Sequence, residues 1–114
     1  MDPMTDAPLC QLADIPDGGA IACEDVLIDG EAESVIVYRH GDTVRGYLNI
    51  CPHAGRRLDW SPGKFLLKNE LLVCAAHGAS FQVDDGLCSA GPCRGQSLRT
   101  VAVSVAGGQV VLAG

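Results

Sequence analysis

Cys51-Pro52-His53 and Cys74-Ala75-Ala76-His77, the second followed by Gly78, are the two stretches on which the reading of this chain turns. Each pairs one soft thiolate with one borderline imidazole. A Cys₂His₂ zinc finger groups its ligands by type, two cysteines close together and two histidines later, so that one turn and one helix build a single tetrahedron. Here each segment supplies one of each. That order suits a two-iron site clasped between two loops, with the cysteines on one iron and the histidines on the other. Zinc held by the same four side chains remains the rival reading.

Working outward, β-structure is expected on both sides of each segment. Residues 34–39, rich in Val and Ile, are joined through Gly41-Asp42 to residues 44–50, a hairpin that delivers the chain to Cys51. Between the segments, Ser61-Pro62-Gly63 breaks the chain, residues 64–67 form a short strand, and Asn69-Glu70 turn into residues 71–73, which end at Cys74. Residues 81–83, the turn Asp84-Asp85-Gly86 and residues 87–88 make a further hairpin. Residues 98–105 and 109–112, joined by Ala106-Gly107-Gly108, make the last. Upstream, residues 9–12 read as a first strand and residues 20–28 as a second, interrupted at Glu24-Asp25. No stretch has helical periodicity, so the expected fold class is all-β.

The 114 residues fit one domain, and a chain of this size buries about two-thirds of the surface its unfolded form exposes. Its 47% hydrophobic content comes mostly from aliphatic residues, and 14 Gly and 6 Pro supply frequent turns, a composition suited to a small barrel or sandwich. Of the 14 acids behind the net charge of -6, nine precede residue 39, where there is no Lys or Arg. A nucleic-acid surface needs a clustered basic patch, and the chain has none. Residues 71–76, the longest apolar run, are too few to span a bilayer, and no basic region followed by an apolar stretch opens the chain; a cytoplasmic protein is expected. In that compartment the six cysteines read as ligands or thiols rather than disulfides. Cys10, Cys23, Cys88 and Cys93 are expected as buried or half-buried thiols, with a Cys88–Cys93 disulfide as the alternative, and His40 as a solvated turn residue.

From CPHAGRRLDW (residues 51–60) through CAAHGASF (residues 74–81) to Gly91-Pro92, the chain resembles the Rieske [2Fe-2S] proteins over nearly its whole length. The resemblance implies a small Rieske fold: a β-barrel or sandwich base, with a cluster-binding subdomain of two loops inserted at about residues 44–95 of the single domain 1–114. It implies one [2Fe-2S] cluster, with Cys51 and Cys74 on an iron that stays ferric and His53 and His77 on the iron that takes the electron. Backbone N–H groups near Gly55, Gly78 and Gly91 would hydrogen-bond the sulfurs, and Pro92 would cover them from water. Respiratory members carry a disulfide between the two loops; its positions here are Arg56 and Ala76. They also place a Ser two residues and a Tyr four residues after the second His, where this chain has Ala79 and Phe81. Without those hydroxyl donors the potential is expected near about -150 mV rather than about +300 mV.

Nothing in the sequence signals a substrate pocket, a mononuclear iron site, a nucleotide loop or a nucleophile-base pair, so the expected function is electron transfer without catalysis of its own. The leading reading is a soluble Rieske-type ferredoxin that takes one electron from a flavin-dependent reductase and gives it to a terminal oxygenase or similar enzyme, with protein partners only and no membrane or small-molecule substrate. Arg56, Arg57 and Arg94 read either as charges that steer an acidic partner or, equally, as solvated surface charge. Two other readings stand beside it. One is a subunit of a multicomponent reductase, resembling the small subunit of nitrite reductase, some members of which lack the cluster ligands that this chain keeps. The other is a zinc-stabilised interaction module or an iron-sulfur redox sensor.

Overall fold

The computed structural model describes residues 8–28, 30–50, 58, 65–68, 71–74, 79–91 and 95–113. Among them run eleven strands: β1 (Cys10–Gln11), β2 (Ala20–Ile28), β3 (Glu31–His40), β4 (Thr43–Leu48), β5 (Leu66–Lys68), β6 (Leu71–Val73), β7 (Ser80–Gln82), β8 (Cys88–Ala90), β9 (Thr100–Val101), β10 (Val103–Ala106) and β11 (Gln109–Leu112). One turn of 3-10 helix, Leu12–Asp14, follows β1. The all-β expectation holds. Three antiparallel sheets form, ordered β1-β11-β10, β2-β3-β4-β9 and β5-β6-β7-β8.

The four-stranded β2-β3-β4-β9 sheet is shared by two cores. Successive side chains of a strand point to opposite faces, and in β3 both faces are covered: Val35, Ile36 and Val37 are 0% exposed and Tyr38 5%. Val35 and Val37 enter one core with Ile15, Val44, Leu48, Val101 and Val110. Ile36 and Tyr38 enter the other with Tyr47, Leu58, Leu72, Cys74 and Phe81. That double burial is why β3 reads as an unbroken apolar run instead of an alternation.

Several boundaries depart from the sequence expectation. The first strand shrinks to two residues, because the chain turns into the 3-10 helix, whose Asp14 carboxylate accepts the Gln11 N–H at 3.1 Å. The strand expected at residues 98–105 divides around Ala102: β9 pairs with β4 and β10 with β11, so the chain changes sheets there. The interruption expected at Glu24-Asp25 is a β-bulge, with the register shifting between Cys23 and Val26 and Asp25 at φ +56°. The final hairpin turns on Gly107-Gly108, both at positive φ as a two-residue type I′ loop requires. Asn69-Glu70 and Ser61-Pro62-Gly63 lie outside the described residues. Of the stretch at about residues 44–95, β5 to β8 make a sheet of their own, while β4 pairs with β3 and β9.

Tyr47 joins the shared sheet to the β5–β8 sheet. Its hydroxyl donates to the Val83 carbonyl at 2.7 Å, and burial pushes the phenol up to about 12. Tyr47→Phe removes that donor from a buried carbonyl and is expected to lower stability by about 1–3 kcal/mol in urea denaturation. The raised value means that the folded state favours the neutral phenol. Its contribution is therefore complete below the ordinary value of 10.0 and is lost as pH rises towards about 12. Tyr47→Phe should flatten the stability profile across that window, leaving the slope due to Cys23, whose thiol burial pushes up to about 12 from 9.0.

Candidate metal centre

The second cysteine segment is held by strand pairing. In the β6–β7 ladder Leu71 faces Gln82, Leu72 faces Phe81 and Val73 faces Ser80. One step past the last pair, the Cys74 N–H donates to the Ala79 carbonyl at 2.7 Å, closing the neck of the loop. Cys74 is 0% exposed and lies in the core that contains Leu58, Leu72, Ala79 and Phe81. Apolar Leu72 and Phe81, paired directly across the strands, anchor this hairpin beneath the loop.

The first segment is reached from the shared sheet. β4 ends at Leu48, Asn49 is buried at 1% exposure, and its Oδ1 accepts the Leu58 N–H at 2.9 Å. Leu58 itself is 0% exposed, in the same core as Cys74. A third segment crosses here: Gly91 has φ +99°, and a Cβ on it would stand 2.7 Å from the Ala79 Cα. Only glycine permits that approach. The necks of both cysteine segments and the start of the Gly91-Pro92 stretch thus meet around one buried core.

Of the four predicted ligands, Cys74 is described, while Cys51, His53 and His77 lie outside the described residues, as do Gly55, Arg56, Arg57, Trp60, Ala76, Gly78, Pro92, Cys93 and Arg94. Among the described residues no three His, Cys, Asp or Glu side chains gather into a metal site. What is described fits an iron-sulfur group. A thiol is sealed from water at the end of a strand, and a glycine lies flat against the base of its loop. Ala79 and Phe81 are both 0% exposed, so a methyl and a ring occupy the positions where respiratory Rieske proteins carry hydroxyls.

The spare cysteines lie apart from this chemistry. Cys10 is half-buried and Cys23 buried, and both belong to the opposite core. Burial raises the pKa of both thiols and keeps them protonated. Cys88 is buried as a free thiol that donates to the Ala90 carbonyl at 3.2 Å. His40 is exposed at the end of β3. Sequence reading missed Asn49, the lone amide in the apolar run from Tyr47 to Ile50, although a polar side chain there was the available signal.

Comparison with known proteins fixes the class. The chain matches the Rieske [2Fe-2S] domain over residues 6–107, and it belongs to that family. No curated protein matches it in sequence. Among solved structures it is similar to the ferredoxin of carbazole 1,9a-dioxygenase from Nocardioides aromaticivorans IC177, at 29% identity and TM-score 0.75, with 96% of this chain and 97% of that one covered. It is likewise similar to the Sphingomonas yanoikuyae B1 ferredoxin, at 25% identity and TM-score 0.75, covering 94% and 96%. A chain in the complex of reduced oxygenase and oxidised ferredoxin of carbazole 1,9a-dioxygenase matches at 25% identity and TM-score 0.74, covering 96% and 94%. The cofactor is one Rieske-type [2Fe-2S] cluster, and the protein is an electron-transfer component. Among the described residues no helix is long and apolar enough to cross a membrane.

Gly91→Ala sets a Cβ against backbone at 2.7 Å and at a positive φ, with no flexible side chain to yield. The substitution should cost about 1–3 kcal/mol and lower the iron and sulfide retained per chain on purification.

Proposed function

We propose that this chain is a Rieske-type ferredoxin that takes one electron from a flavin-dependent reductase and passes it to a terminal oxygenase, working in the cytoplasm. Cys51 and Cys74 hold one iron of the cluster, and His53 and His77 hold the other. The observation that carries this reading is the near end-to-end likeness to ferredoxins of dioxygenase systems, 96% of this chain against 97% of one of them. When bound, the cluster supplies one-electron redox chemistry. The chain's own residues do the rest. Cys74 presents its sulfur from a dry core, Leu58 and Phe81 exclude water beneath it, and the bond from the Cys74 N–H to the Ala79 carbonyl fixes where the loop begins. The cluster-carrying part is assigned to about residues 44–95 of a single domain 1–114.

Anaerobically purified protein should contain about two irons and two sulfides per chain, and its reduced form should give the paramagnetic resonance signal of mixed Cys/His ligation. Its midpoint potential should lie near about -150 mV. Reduction by a flavoprotein with a pyridine nucleotide, followed by reoxidation by a terminal oxygenase and its substrate, completes the test. A colourless protein with one zinc overturns the ligand assignment. A stable complex with a large reductase on size exclusion overturns the free-carrier assignment in favour of a subunit.

A further inference from the structure

We infer that Asn49 is a positioning residue for the cluster: its side chain closes the neck of the first ligand loop and references that loop to the β2-β3-β4-β9 sheet. The inference rests on the assignment of Cys51 and His53 as ligands.

The two loops are closed by different means. The second is closed by backbone, since the β6–β7 ladder runs up to it and the Cys74 N–H bonds to the Ala79 carbonyl. Among the described residues the first has no such ladder. β4 ends at Leu48, and Leu58 is not in a strand. The side chain of Asn49 spans the gap instead, with Oδ1 accepting the Leu58 N–H at 2.9 Å across nine positions of sequence. Asn49 is two residues before Cys51, and Leu58 is five after His53. One hydrogen bond therefore joins the residues on either side of the Cys-x-His segment, and tying the two ends of a segment together shortens the loop that must be ordered.

Asn49 is held in turn. Its N–H donates to the Ser34 carbonyl at 2.9 Å, and its Nδ2 donates to Ser34 Oγ at 3.2 Å. Ser34 Oγ donates to Glu24 Oε2 at 3.1 Å. Glu24 lies at the β2 bulge, where the extra residue re-aims a side chain. The chain Glu24, Ser34, Asn49, Leu58 thus runs from β2 across β3 to the far side of the loop. Leu58 is gripped from both sides, its backbone by Asn49 and its side chain by the core that contains Cys74. The placement of the first ligand pair against the second passes through this residue. Asn49 is buried, so an apolar substitute leaves the Leu58 N–H without this acceptor inside the protein.

The test uses the full chain carrying its cluster. Asn49→Leu keeps the volume and deletes the acceptor. Ser34→Ala keeps the Asn49 to Leu58 bond and the backbone bond from Asn49 to the Ser34 carbonyl, and deletes the hydroxyl that accepts from Asn49 Nδ2 and donates to Glu24. Tyr47→Phe, on the same strand and outside the neck, is the control for stability loss. Three quantities are read: amide exchange at Leu58 by mass spectrometry, the rate of iron loss to a chelator, and the g values of the reduced protein. Asn49→Leu should raise exchange at Leu58 and iron loss each about tenfold, the factor expected for one lost buried hydrogen bond, and should shift the g values. Ser34→Ala should move the same quantities by about threefold, and it carries the test if Asn49→Leu does not fold. Tyr47→Phe should leave the g values as in the parent. Wild-type iron retention and g values in Asn49→Leu, or the same g shift in Tyr47→Phe, would overturn the inference. A parent protein lacking a two-iron cluster would instead refute the ligand assignment, and exchange at Leu58 would still report whether the clamp exists.

Discussion

The burial of β3 on both faces is the constraint on which the molecule depends. With only five aromatic residues, the chain builds two small cores, and Val35, Ile36, Val37 and Tyr38 serve both. A strand covered on two sides cannot slip by one residue without exchanging every side chain between cores. That fixes the register of β4 against it, Val35 facing Leu48 and Ile36 facing Tyr47. The end of β4, and so the entry to the first cysteine segment, is located by packing well before any ligand is considered.

From that strand end, two positions reach across to other parts of the fold, and only the second lies at the neck of a cysteine segment. Tyr47 reaches the Val83 carbonyl beyond β7, and Asn49 reaches the Leu58 N–H. Strands of three residues such as β6, β7 and β8 bury too little to form a stable unit in isolation. They are kept in place by the apolar contacts of Leu72, Phe81 and Cys88 with Ile36, Tyr38 and Leu98. Ligation then adds to folding, because metal binding that requires assembled loops contributes its free energy to the assembled state.

Much of this was legible in the chain. The hairpin around Gly41-Asp42, the short strands leading into and away from Cys74, and the break at Glu24-Asp25 all carry local signals: turn residues, apolar runs, a pair of charges inside a strand pattern. What stayed hidden depended on long-range partners. The chain changes sheets at Ala102 because β4 takes one side of the segment and β11 the other, and nothing in Val101-Ala102-Val103 encodes that division. Asn49 was visible as an amide in an apolar run, but its acceptor role is defined by a residue nine positions on and by a serine fifteen positions back. Of the four residues whose order pointed to ligands, Cys74 is the described one, and Leu58 and Gly91 mark where the segments around it meet.

The packing that protects the site also sets its chemistry. Ala79 and Phe81 sit fully buried where hydroxyl donors stand in members of higher potential, and Gly91 lies too close to Ala79 for any side chain of its own. Such a wall excludes water and at the same time withholds hydrogen bonds that would stabilise added negative charge on sulfur. A drier and less donating surround favours the oxidised state, which is the physical reason for the low potential proposed for this chain. For a carrier this is useful only if the ligands move little between redox states. The two necks, one closed by backbone and one by Asn49, are placed where that stiffness is needed.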